Sequence, residues 1–186
     1  MNLFGKKALT LIALLIVTAA ALVAAPDSKN DQSGANADIS KRIRKELVTL
    51  PYYGVFDNLA YKVEGTTVTL YGQVTKPTTK SDAGRRIERI QGVSHVVNNI
   101  EVLPLSPFDD SIRIRTYRSL FRAGGLFRYA MGTNPSIHIV VKNGHVTLEG
   151  VVSTIGDSRL AYITANGVPG VFSVTNHLRI ENQGAR

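Results

Sequence analysis

A seven-residue phrase occurs twice in this chain, and its spacing constrains the fold more than any other feature. Val68-Thr-Leu-Tyr-Gly-Gln-Val74 returns as Val146-Thr-Leu-Glu-Gly-Val-Val152, 78 positions later. A second phrase, Gly92-Val-Ser-His-Val-Val-Asn-Asn-Ile100, returns as Gly170-Val-Phe-Ser-Val-Thr-Asn-His-Leu178 at the same offset of 78. Two motifs that keep one spacing imply a duplicated unit. Only two copies exist and each holds several kinds of element, which excludes a solenoid. The 186 residues therefore divide into two small domains instead of forming one ordinary one.

The periodicities within each copy are readable. Ile137, Ile139 and Val141 alternate with polar-side positions, Asn143-Gly144 supplies a two-residue turn that accepts positive φ, and Val146 and Leu148 resume the alternation. That is a β-hairpin with one buried face. Leu59, Tyr61 and Val63, a turn at Glu64-Gly65-Thr66, then Val68 and Leu70 repeat it in the first copy. Gly72 and Gly150 follow, where a bulge or a close backbone approach is expected. Helical spacing over Ser81 to Ile90 and over Asp157 to Ala165 predicts a helix after each hairpin, with Gly92 and Gly167 beyond their ends as caps. A short apolar strand closes each copy. Ile39, Ile43, Leu47 and Leu50 form the stripe of an earlier helix, and Ile112, Leu120 and Ala123 begin its counterpart. Each copy reads as α-β-β-α-β, an α+β unit with a small three-stranded mixed sheet and two helices on one face. The first spans 38–103 and the second 109–181. Units this small are marginal alone, so the copies are expected to pack together.

The net charge of +8 suggests nucleic acid. The N-terminus argues against it. Lys6 and Lys7 precede an uncharged apolar run from Ala8 to Ala25, in the order of a secretory signal. Two readings stand for residues 1–25, a signal peptide cut after Ala24 or Ala25, or an anchor retained through residues 8–25. Both place the remainder outside the cytoplasm, in the periplasm, which removes nucleic acid as a partner. Residues 26–37 contain no large apolar side chain and read as a flexible tether. The chain has no Cys, so disulfides, thiol nucleophiles, iron–sulfur clusters and zinc ribbons are excluded.

The sequence of helix, alternating strand, NG-type turn, VTLxG, amphipathic helix, GVxxVxN and apolar strand resembles the BON family, from Asp38 to Val102 and again from about Asp110 to Ile180. The resemblance implies a tandem, non-catalytic, extracytoplasmic module associated with phospholipid surfaces and with envelope or osmotic stress.

No constellation for catalysis, metal or cofactor emerges from the residues. Asp109-Asp110 is an adjacent carboxylate pair, but its place at the start of a helix predicts capping. His138 and His145 are expected on the solvent side of a hairpin. The binding candidate lies where the copies stop matching. Eleven residues separate Leu47 from Leu59, and 16 separate Leu120 from Ile137. There Arg113, Arg115, Arg118, Arg122 and Arg128 interleave with Phe121, Phe127 and Tyr129, and on a helix at ~100° per residue Arg115, Arg118 and Arg122 share one face while Tyr117, Leu120 and Phe121 form another. Arginine forks hold phosphates, and aromatic rings suit the boundary between head groups and acyl chains. Anionic phospholipid, or a membrane surface carrying it, is the expected partner. The rival expectation is a scaffold recruiting another envelope protein. In the bland alternative, Tyr117, Leu120 and Phe121 enter the core, and the arginines form a solvated face or pair with Glu64, Glu88 or Glu149.

Overall fold

A computed structural model describes residues 28–132 and 134–181. Residues 1–25, read above as a signal peptide or an anchor, lie outside them. Among the described residues no helix is long and apolar enough to cross a membrane.

In the first copy α1 (Ser28–Val48) leads into the hairpin β1 (Asn58–Glu64) and β2 (Thr67–Val74), then α2 (Pro77–Glu88), β3 (His95–Asn98) and β4 (Glu101–Val102). The second repeats this order with α3 (Pro107–Arg122), a short 3₁₀ helix (Leu126–Ala130), β5 (Ile137–Lys142), β6 (His145–Val152), α4 (Ile155–Asn166), β7 (Ser173–Asn176) and β8 (Arg179–Ile180). Each sheet has three rows. The central strand, β2 or β6, runs antiparallel to the strand before it and parallel to two short strands lying end to end. This is the expected pair of α-β-β-α-β units.

Helix α1 begins earlier than the tether read at 26–37 allows. Once the segment from Ile39 to Leu50 is docked, each residue added upstream gains a hydrogen bond without a new nucleation cost, and no proline after Pro26 stops it. Helix α2 also starts earlier than expected, because Pro77 supplies a preset φ at its first turn. For α4 the Thr154 hydroxyl accepts from Asp157 N–H at 3.1 Å and caps the helix.

The repeated asparagine of GVxxVxN explains why the third row breaks in two. Asn98 donates its amide to Lys80 O at 2.9 Å and accepts from Ile100 N–H at 3.3 Å. Asn176 does the same with Ser158 O at 3.1 Å and Leu178 N–H at 3.1 Å. Each side chain fastens the end of the row to the second helix. Gly72 and Gly150 meet the expectation of close approach. A Cβ on either would lie 2.0 Å from a carbonyl oxygen, Asn58 O or Ser136 O, at φ of +111° and +121°.

Each copy has its own core, but the second is completed by the first. Val55 and Phe56, on the loop before β1, pack against the core of α3, β5 and β6. Val55 O accepts Ile139 N–H at 2.7 Å, so this loop covers the outer edge of β5. Buried Asp57 fixes the loop, accepting from Gly54 N–H at 3.0 Å, Thr75 N–H at 2.6 Å and the Thr75 hydroxyl at 2.9 Å. Phe56 meets the Tyr117 ring edge-on at 6.2 Å. Asn134 donates to Val48 O at 3.1 Å, and Lys142 pairs with Glu101 at 2.5 Å.

His138 therefore departs from its expected solvent position. It lies half-buried between the copies, its ring 5.4 Å from that of Tyr53. Its Nδ1 faces Gly54 O at 3.3 Å. A carbonyl only accepts, so Nδ1 carries the proton and Nε2 is the acceptor facing the Tyr53 hydroxyl at 3.5 Å. Burial holds His138 below the usual histidine range, and burial together with Asp57 pushes the Tyr53 hydroxyl up to about 12.

Candidate functional site

Helix α3 docks through Ile112, Thr116 and Leu120, all fully buried. With 3.6 residues per turn, that face dictates the opposite one. Arg115, Arg118 and Arg122 share the outer stripe, exposed and without an ion-pair partner among the described residues. Glu64 pairs with Lys62, and Glu149 with His177. The pairing of α3 arginines with Glu64, Glu88 or Glu149 across the copies is not what the fold provides.

The other sequence candidates are dispersed. Arg113 is 4% exposed, bonded to Asp110 and donating to Val141 O at 2.7 Å. It sits on the inner side of α3 because three residues from Thr116 along a helix share its face. Arg128 is committed to Gly125 O at 2.8 Å and Asp157 at 2.7 Å. Tyr129 is 6% exposed, its hydroxyl accepting from Ser153 N–H at 2.8 Å and donating to Asp157 at 3.0 Å. The Thr154 hydroxyl also donates to the Asp157 carboxylate at 2.6 Å, and these bonds, led by that one, hold the Asp157 carboxyl below its ordinary range. Phe121 is half-buried, packed edge-on against Tyr117 at 4.9 Å. Phe127 is exposed, but on the 3₁₀ helix, beyond the end of α3. The insertion thus serves the second core and the start of α4.

Capping by Asp109 is likewise replaced. Ser106 caps α3, accepting Asp109 N–H at 3.2 Å, while the Asp109 carboxylate is fully buried and accepts Asn143 N–H at 2.9 Å and Gly144 N–H at 2.8 Å.

The aromatic partners of the arginine stripe are residues that helical patterning did not single out. Phe108 and Phe172 stack at 5.9 Å, and Phe172 is 70% exposed. Gly144 accommodates the Phe172 ring, which would stand 2.6 Å from a Cβ there. Gly170, at φ +89°, brings Arg115 and Phe108 together. A Cβ on it would lie 3.2 Å from Arg115 Nη2 and 3.6 Å from Phe108 Cζ. Ile114 is also exposed on this side. The signal was in the offset itself, since Ser94 holds the place in the first copy that Phe172 holds in the second. The surface offers a stripe of three guanidinium groups that begins, at Arg115, beside an aromatic pair, suited to an anionic group at an apolar boundary. Among the described residues no cluster of three or more His, Asp or Glu is placed to hold a metal.

Two small α+β units joined side by side, with such a surface on the second, define a tandem binding module. The chain belongs to the BON domain family, whose model matches residues 35–104 and 126–182. Among curated protein sequences none matches. Two solved structures of CdsD, a structural protein of the type III secretion system of Chlamydia trachomatis, are similar at 12% identity and a TM-score of 0.31. One, its C-terminal domain, covers 77% of this chain and 97% of its own, and the other 79% and 95%.

Proposed function

We propose that this protein acts outside the cytoplasm, in the periplasm, as a non-catalytic module that docks on anionic phospholipid through the outer stripe of α3 and serves envelope maintenance under osmotic stress. The observation that carries the proposal is the exposed stripe of Arg115, Arg118 and Arg122, without an ion-pair partner among the described residues, whose Arg115 end lies beside the exposed Phe108–Phe172 pair. A basic side chain near an anionic bilayer contributes about 1 kcal/mol. Three give roughly 3 kcal/mol, or about a hundredfold in affinity. Screening over a Debye length of about 8 Å at physiological salt keeps such docking weak and salt-sensitive. The two phenyl rings add apolar burial that salt does not weaken.

Co-sedimentation with phosphatidylcholine vesicles, with and without phosphatidylglycerol, tests this directly. Binding is expected only with the anionic lipid, is lost when Arg115, Arg118 and Arg122 become Ser, and weakens in Phe172→Ser. Equal binding to both vesicles overturns the proposal. Crosslinking in intact cells distinguishes the rival scaffold, which predicts one stoichiometric protein partner insensitive to those arginines.

A further inference from the structure

The two hairpins are superimposable in register but not in what meets their outer edges. On β5 the edge is occupied, with Ile139 N–H taken by Val55 O and Val141 O taken by Arg113. The offset of 78 carries these positions to Tyr61 and Val63 of β1. Glu64 pairs with Thr67 across the two-residue turn, so Glu64, Lys62 and Ala60 bond to β2, and the backbone of Leu59, Tyr61 and Val63 faces outward. The Tyr53 hydroxyl engages the backbone of Leu59, while the outward groups of Tyr61 and Val63 meet no backbone partner among the described residues. An unpaired strand edge is a template for another strand.

A cleft of about 720 Å³ adjoins this edge. One wall is Asn58 to Tyr61 with Arg44 of α1, and the other is Ser136, His138, Glu149 and Arg179. Its volume suits a peptide or small ligand, within the ~300–1,000 Å³ of such sites. Arg44 and Arg179 have no ion-pair partner among the described residues, whereas Glu149 is engaged by His177 at 2.8 Å. Burial keeps His138 uncharged at neutral pH. Two arginines against the single carboxylate of Glu149 leave the cleft with a net positive charge.

We propose that this cleft is a peptide-binding site, in which an acidic segment in extended form adds as a further strand to the open edge of β1 and places its carboxylates on Arg44 and Arg179. Main-chain hydrogen bonds to Tyr61 and Val63 supply affinity, and the two arginines supply selectivity for charge. The site is separate from the α3 surface and independent of lipid.

The test uses the full chain with a short fluorescein-labelled peptide of alternating Glu and Val, and a Lys-Val counterpart. Fluorescence anisotropy is expected to show binding of the acidic peptide alone. Amide exchange at Tyr61 and Val63 is expected to slow about tenfold or more at saturation. Reversing Arg44 and Arg179 to Glu is expected to weaken binding at least about tenfold. Tyr61→Pro, which removes an outward N–H not used by β2, abolishes it, and if that variant does not fold the charge reversal decides alone. Equal binding of the Lys peptide overturns the proposal, as does binding that follows the α3 arginines. Protection of the same amides without peptide, together with a sedimenting dimer, assigns the edge to a second copy and also overturns it.

Discussion

The carboxylate of Asp109 holds the backbone of Gly144, accepting its N–H at 2.8 Å from a fully buried position. Helix α3 thereby fixes the turn of a hairpin more than thirty positions further along the chain. Asp109→Ala strands the Asn143 and Gly144 N–H groups in the interior, where an unmet donor costs about 1–3 kcal/mol. Denaturant titration of this variant is expected to show a loss of about 3 kcal/mol, with Asp109→Asn losing less because one acceptor oxygen remains. An unchanged midpoint means that water replaces the carboxylate freely.

Gly72 and Gly150 are expected to be nearly irreplaceable. Alanine at either place puts Cβ 2.0 Å from a backbone carbonyl in a conformation that L-residues avoid. Gly150→Ala is expected to cost about 2 kcal/mol or more. Gly124→Ala, where nothing lies within 4 Å of the added carbon, serves as the comparison. Thermal melts of equal midpoint for the two variants contradict this.

The contact between Tyr53 and His138 is expected to weaken in acid. Burial lowers the folded-state pKa of His138, partly offset by Gly54, Asp57 and Glu149. The unfolded chain, with a histidine pKa of about 6.5, then binds the proton more readily than the folded one. Stability from this residue is level above about pH 6.5 and declines as pH falls from there toward the folded value. Urea midpoints across that range are expected to fall with a shallower slope in His138→Gln. Identical slopes assign the decline to other groups.

Phe56 is expected to stabilise the second copy although it belongs to the first. Its ring packs on the second core and meets Tyr117 at 6.2 Å. Phe56→Ala is expected to cost about 2 kcal/mol, since the ring is only half-buried and full removal of a buried Phe costs about 3–5 kcal/mol. A double-mutant cycle with Tyr117→Ala is expected to show a coupling of about 0.5–1.5 kcal/mol. Additive losses reject the contact.

Local patterning exposed most of the architecture. The hairpins were legible because period-2 alternation, a glycine-bearing turn and the 78-residue offset agree. Asn98 and Asn176 were visible as a repeated letter, but their role required knowing which helix carbonyl lies above each. Asp109 was misread because a carboxylate in a first helical turn looks like a cap, while its true partners sit beyond two intervening elements. Arg115, Arg118 and Arg122 were placed correctly on one face by helical geometry. Tyr129 and Arg128 were not, since a 3₁₀ helix that returns to the core leaves no periodic trace over five residues. The loop carrying Val55 and Phe56 could not be found by comparing copies, because the offset brings these residues to Thr133 and Asn134, which resemble neither.

The Val55–Ile139 hydrogen bond gives the duplication a direction. An edge that α3 covers only at Val141 is closed at Ile139 by a loop of the first copy, so the finished second sheet includes a piece of the first. The reverse service is not rendered, and the two halves can be neither exchanged in order nor separated without baring a sticky strand. The two copies are therefore not interchangeable modules, since the loop of Val55 and Phe56 belongs to one by sequence and to the other by contact.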